Sequence, residues 1–271
     1  HYTASDMQKE SRTKETARHS SLCRSLSFTI PASWDELSQE QLCRLLRMMW
    51  LWQDEKTLTK VKMAMLLYFC NIEVDCRTKE GFLCLEKTSG QTFLLDADYL
   101  PDMISHLDWM DTPENMTQRI EEVGGFRAVD FELRELTFGK YLECDNYYQA
   151  FLVGHDESSL KNMARILYRV PEDFDVSCLK EHILLGVMLW WMAAKKVLSL
   201  WFPDFLKPAD GEGTISQESQ TESMRAQIRM LTKGDVTKEE YILNSLSVWT
   251  AMAELNAQAR EAEEIMRKYG K

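Results

Sequence analysis

Three short constellations in this chain carry side chains able to do chemistry. His155-Asp156-Glu157 sets an imidazole beside two carboxylates directly after Gly154, and these are ligand types that a divalent metal accepts. Adjacent residues point in different directions, however, and ligands sharing a helix face need a spacing of three or four. A helix N-terminus capped by Asp156 accounts for the same letters, so no metal site is expected. Cys178 and His182 do stand four apart, but no second pair completes the set, and a packed cysteine beside a helix-surface histidine is the simpler reading. The acidic pairs Asp96/Asp98 and Glu121/Glu122 could perform acid–base work if buried in a cleft. In a chain with 43 acidic residues such pairs arise by chance.

Motifs for nucleophilic or phosphate chemistry are missing. The sequence holds no G-x-S-x-G elbow, no G-x-x-x-x-G-K-[ST] loop, no G-x-G-x-x-G and no H-E-x-x-H, the patterns that would carry those mechanisms. The expectation is a protein with no catalytic residues, no cofactor and no metal. The alternatives are an enzyme whose site is assembled from scattered groups such as Asp96, Asp98 or His106, and a nucleic-acid-binding regulator with a basic groove of Arg44, Arg47, Lys60 and Lys62.

The elements that must position these groups are mostly helical. Ser38-Gln39-Glu40-Gln41 has the form of a capping box, and Leu42, Leu45, Leu46, Met49 and Trp50 follow at helical spacing. Further helices are predicted over 58–71, 97–107, 158–169, 178–199 and 221–233, with one ending near Gly154 that carries Tyr141, Tyr147, Tyr148 and Phe151. That aromatic cluster mixes apolar bodies with hydroxyl handles and reads first as core. Between the early helices the period changes to two. Residues 81–95 read as a β-hairpin turning at Lys87-Thr88-Ser89-Gly90, and a hairpin alone is marginal, so Ile72 to Asp75 is the candidate third strand. No repeat of 20–50 residues is present.

The end of the chain is the most informative segment. Thr237-x-x-Glu240 reads as a second capping box. Beyond it Tyr241, Val248, Leu255, Ala262 and Tyr269 fall one heptad apart, flanked by Met252, Ala259 and Met266. A stripe that narrow suits docking onto a partner helix or a second copy of the chain. The candidate partner-binding residues are Tyr241, Val248, Trp249, Met252, Leu255 and Tyr269. Packing back onto the chain's own core is the competing reading.

Composition bounds the rest. The chain has 271 residues, 45% hydrophobic and 28% charged, with a net charge of −11, an ordinary globular balance. Such an acidic chain is a poor default nucleic-acid binder, because phosphate binding needs a basic surface. Lys9, Arg12, Lys14, Arg18 and Arg24 give residues 1–26 a mild positive bias, read as a solvated arm. Seven cysteines without C-x-x-C spacing suit free thiols in a reducing compartment. No signal peptide is expected, and the longest apolar run, Ile183 to Ala194, is shorter than the roughly 20 residues of a bilayer span; a buried core helix explains it. The expected organisation is a flexible arm over 1–26, a mainly helical core over 27–207, a linker over 208–220 and a helical segment over 221–271. In fold class this is mainly α with a small β-hairpin, a single helical core plus a C-terminal helical appendage.

Two segments resemble a known group. Phe28-Thr29-Ile30-Pro31 with Trp34-Asp35-Glu36-Leu37-Ser38 is similar to the openings of small uncharacterised proteins of gut-bacterial prophages. Met230-Leu231-Thr232-Lys233-Gly234-Asp235-Val236-Thr237-Lys238-Glu239, followed by Trp249 and an alanine-rich helix, is similar to their endings. The setting of that group among tail genes implies a structural or tail-assembly role, comparable to tail-assembly chaperones that hold the tape-measure protein. The implied partner is a phage tail or tape-measure component, with self-association through the C-terminal helix as the other possibility. The implied location is the cytoplasm of a bacterial host or the virion itself, with nucleic acid and membrane outside the expected contacts.

Overall fold

A computed structural model describes residues 2–3, 27–53, 58–176, 179–206 and 217–269. Most of the expected arm, residues 208–216 of the expected linker, Lys207, Cys23 and Cys178 lie outside the described residues. The chain is mainly helical with a small antiparallel sheet. The helices are α1 (Gln39–Leu51), α2 (Thr59–Phe69), α3 (Leu100–Ser105), α4 (Phe138–Gly154), α5 (Glu157–Leu167), α6 (Glu181–Trp201), α7 (Gln217–Thr232), α8 (Glu239–Asn244) and α9 (Val248–Tyr269). The strands are β1 (Tyr2–Thr3), β2 (Ser27–Phe28), β3 (Ile72–Arg77), β4 (Gly81–Glu86), β5 (Gln91–Asp96), β6 (Glu122–Val123) and β7 (Phe126–Arg127).

Two compact units divide the chain, one of residues 1–37 and 51–112 and the other of 38–50 and 113–271. This division does not follow the boundaries expected from composition. Residues 38–50 and the terminal helices belong with 113–206, because buried apolar faces, and not the polar stretch before α7, decide which segments cohere.

The first unit is built around the meander β3-β4-β5. Phe82 pairs with Leu95 and Cys84 with Phe93 across the hairpin, and Ile72 pairs with Glu86 on the other edge. Ile72, Cys84 and Leu95 are buried, as are Val61, Met65 and Leu66 of α2, so a helix supplies the burial that three strands alone would lack. The turn is closed by Gly90, whose positive φ of 68° is costly for a side chain. Its amide donates to the Glu86 carbonyl at 2.9 Å. The Glu86 carboxylate also accepts from the amides of Thr88 at 2.8 Å and Ser89 at 2.7 Å. Trp34 meets Trp109 edge-on at 5.0 Å, and the Trp109 indole donates to the Pro31 carbonyl.

In the second unit α6 is the central element. Trp190 and Trp191 are among its fully buried side chains, and the Trp190 indole donates to the Phe131 carbonyl at 2.9 Å. Gly186 lets α6 lie directly against Leu46 of α1 and Ile120, since an added Cβ would meet the Leu46 Cδ1 at 2.9 Å. By length and composition α6 could cross a bilayer, and half of that stretch is buried within the protein. The capping box expected at α1 is present in both directions. The Gln41 amide donates to the Ser38 Oγ, and the Ser38 amide donates to the Gln41 Oε1 at 2.8 Å.

Between α4 and α5 the chain reverses through His155, at φ 52°, with its amide donating to the Phe151 carbonyl at 2.7 Å. Asp156 then caps α5 by accepting from the Ser158 amide, so His155-Asp156-Glu157 is a helix connection. Of the aromatic cluster in α4, Tyr141 and Tyr148 are buried, and Tyr141 lies against Trp191 at 5.3 Å. The described cysteines Cys43, Cys70, Cys76, Cys84 and Cys144 are free thiols.

Candidate functional site

The heptad stripe of the C-terminus does not form one helix. Ser245, Leu246 and Ser247 interrupt it, leaving α8 and α9 on either side. The break has two causes. The Ser247 hydroxyl accepts from the Thr250 amide at 3.2 Å, which makes it the cap of α9. Backbone pairing does the rest: the Phe138 amide donates to the Leu246 carbonyl at 2.8 Å, and the Val248 amide donates to the Leu136 carbonyl at 3.0 Å. Thr237 is not the cap expected of it either. Asp235 takes that role, accepting from the Thr237 amide and hydroxyl at 3.1 and 2.6 Å.

This pairing corrects the role read into the middle of the stripe. Val248, Met252 and Leu255 are buried with Ala251 inside the second unit. They are core residues and present no docking surface. Trp249 is likewise engaged within the unit: its indole donates to the Glu132 carbonyl at 2.7 Å, its ring meets those of Trp201 and Phe202, and the Arg134 guanidinium lies 3.7 Å from its centre. Asn256 fixes the chain after α6 by accepting from the Asp204 and Phe205 amides.

The same stripe continues past the point where the core ends. From Arg260 to Tyr269 every residue of α9 is exposed. Ala262, Ile265, Met266 and Tyr269 fall on one face at spacings of three and four, with Met266 71% and Tyr269 80% exposed. Tyr241, on α8, is also exposed. Of the six residues singled out in the sequence, only Tyr241 and Tyr269 are therefore open to a partner, and Ile265 was missed. Its position is off the heptad register, four residues before Tyr269, and only burial data separate it from the core half of the helix.

A second feature was not legible in the sequence. A cavity of about 360 Å³ is lined by Arg47 of α1, Val123 and Gly124, Ala164 of α5, Tyr168, Val170 and Phe174 beyond α5, and Leu179, Lys180, His182 and Ile183 around the start of α6. Phe174 packs edge-on against Phe126 at 4.9 Å, and the Tyr168 hydroxyl is spent on the Ile120 carbonyl at 2.9 Å. Burial, together with the positive charges of Arg47 and Lys180, holds the His182 pKa below its ordinary value, against a smaller opposing effect of Glu181. His182, expected on a helix surface, is only 8% exposed.

Of the groups named for the alternative readings, Arg47 lines this cavity and the others do not. Asp96 caps the turn before α3 by accepting from the Asp98 amide, and Asp96, Asp98 and His106 line neither this cavity nor the clefts beside α4–α5 and the end of α9. Lys62, named for a basic groove, is buried and neutralised by Asp108 and Asp111, each at 2.6 Å. Among the described residues no three His, Cys, Asp or Glu side chains converge as a metal cluster. Comparison with known protein families, with curated proteins and with solved structures finds no match to this chain.

Proposed function

We propose that the chain is a non-enzymatic assembly factor or structural adaptor of phage type, acting through protein–protein contacts made by the projecting half of α9. The observation that carries this reading is the exposed row Ala262, Ile265, Met266 and Tyr269 on a helix whose other half is anchored in the core. Exposed apolar side chains aligned on one helix face are the usual means by which a helix seats in a partner's groove. Glu261, Glu263 and Glu264 lie before Arg267 and Lys268 on the same turns, a polar rim that would fix register more than affinity. The prophage resemblance of the two segments supports a tail or tape-measure component as that partner.

The test is a pull-down from cells expressing the prophage tail genes, with wild type beside an Ile265→Asp/Met266→Asp variant. Recovery of a tail component by wild type and its loss in the variant is the expected result. Recovery of no tail or virion component would reject the phage assignment. Equal recovery by both proteins would reject the α9 surface.

A further inference from the structure

We propose that the cavity bounded by α1, β6, α5 and the start of α6 binds a small amphipathic anion, an organic carboxylate with a short apolar body. Its walls are chiefly Val123, Ala164, Val170, Phe174, Leu179 and Ile183. Its volume of about 360 Å³ lies at the small end of the range for pockets that enclose organic molecules, about 300 to 1,000 Å³. An apolar body is what such walls favour, since it releases water from apolar surface that no described side chain covers.

Two cations and an imidazole line this cavity in an otherwise acidic chain. The chain carries a net −11, and many of its cations are matched by carboxylates: Lys62 with Asp108 and Asp111, Lys195 with Asp145, Arg169 with Glu135, Arg260 with Asp204. Arg47 and Lys180 also line the cavity, are exposed, and have no ion pair or hydrogen bond among the described residues. His182 is the third polar group. It is 8% exposed and lines the cavity, yet it has no hydrogen-bond partner among the described residues. Its ring nitrogens are not among the sealed polar atoms that lack a partner, so they stay open to a group that enters the cavity.

A carboxylate satisfies all three groups together. It would pair with Arg47 and Lys180 and supply an acceptor for an imidazole N–H, while its apolar body fills the space between Phe174 and Ile183. An inorganic anion would leave the apolar walls wet, and an alcohol of the same shape would leave the cations unpaired. The ligand must bring both parts. This site is independent of the α9 surface, so either proposal can fail without the other.

The test uses octanoate, octanol, acetate and inorganic phosphate as probes, titrated into the full chain by calorimetry, with NMR of the histidine ring protons as a second readout. Octanoate should bind, and octanol, acetate and phosphate should each bind weaker by about tenfold or more, the scale of one lost charge-assisted hydrogen bond. An Arg47→Gln/Lys180→Gln variant should lose about tenfold or more for octanoate and little for octanol. Lys238→Gln, distant in sequence and already paired with Asp235, should change nothing. The His182 titration midpoint, assigned with His182→Gln, should rise when octanoate is bound, because a negative charge beside the ring favours its protonated form against Arg47 and Lys180. A thermal melt of each variant separates loss of binding from loss of fold. No octanoate binding, equal binding of octanol, acetate or phosphate, an unaffected double variant, a weakened Lys238→Gln, or an unmoved His182 midpoint would each overturn the site.

Discussion

Gly139, in the first turn of α4, lies against the backbone of Leu243 in α8, so close that a Cβ added to it would come within 2.5 Å of the Leu243 carbonyl oxygen. With the two backbone hydrogen bonds that join Leu136 and Phe138 to Val248 and Leu246, this contact clamps the C-terminal segment to the start of α4. Close approach of two backbones is a use of glycine that no other residue can share. Gly139 is thus the pivot that turns a would-be free helix into part of the second unit.

Gly139→Ala is expected to destabilise the protein even though alanine is the better helix former by up to about 1 kcal/mol. Backbone atoms cannot swing aside as a flexible side chain can, so α8 must shift, at a cost of about 1 to 3 kcal/mol. A lowered denaturation midpoint by circular dichroism is the expected result. A midpoint equal to or above that of wild type would show that the Leu243 contact is not a packing constraint.

The two halves of α9 should respond oppositely to substitution. Leu255→Ala opens a cavity in a fully buried site and is expected to cost about 2 to 5 kcal/mol. Ile265→Asp with Met266→Asp changes only exposed positions and should move stability by no more than about 0.5 kcal/mol. Urea titrations of both variants check this. Strong destabilisation by the paired aspartate substitutions would mean that the projecting half packs on its own unit and is not available to a partner.

Much of this was written in local sequence patterns. Ser38 and Gln41 announced α1, the switch from period 3.6 to period 2 at Gly81 announced the hairpin, and Ile72 to Asp75 proved to be the third strand. The failures share a physical cause, which is that heptad spacing reports an apolar face without reporting what covers it. Val248 and Tyr269 belong to one stripe, yet one is fully buried and the other 80% exposed. Ser247 falls between Tyr241 and Val248 of the stripe, yet it pairs with Thr137 and caps α9. The cavity was invisible for the same reason: Arg47, Gly124, Phe174 and His182 come from segments far apart in sequence, and only the packing of α1, α5 and α6 brings them together.

Acid should loosen the hairpin through Glu86. Hydrogen bonds from Ser89 and Thr88 hold its carboxyl at about 2, well below the ordinary 4.5. A carboxyl lowered on folding contributes stability that is present above its unfolded pKa and lost as pH falls through the folded one. The window is therefore between 4.5 and about 2. Glu86→Gln keeps an acceptor oxygen but cannot titrate, so the variant should be less stable than wild type near neutrality and converge with it toward the bottom of that window. Amide exchange at Thr88 and Ser89, followed against pH, is the measurement. A constant difference between the two proteins across the window would assign the turn's stability to shape and not to charge.

His182 should titrate below 6.5 in the folded protein, because burial first, and then Arg47 of α1 and Lys180 beside it, oppose its protonation, with Glu181 working the other way. A lowered histidine pKa means that the contribution to stability is full above the unfolded value and declines as pH falls through the folded one. Thermal midpoints should consequently fall on acidification below 6.5, and His182→Gln should flatten that decline. Arg47→Gln offers a sharper check, since it removes a charge and leaves the histidine's burial largely in place. Its His182 midpoint, read from the ring-proton shifts, should move up toward the ordinary value without reaching it. A midpoint already at or above 6.5 in the wild-type protein would mean that the imidazole is better solvated than its place in the cavity wall implies.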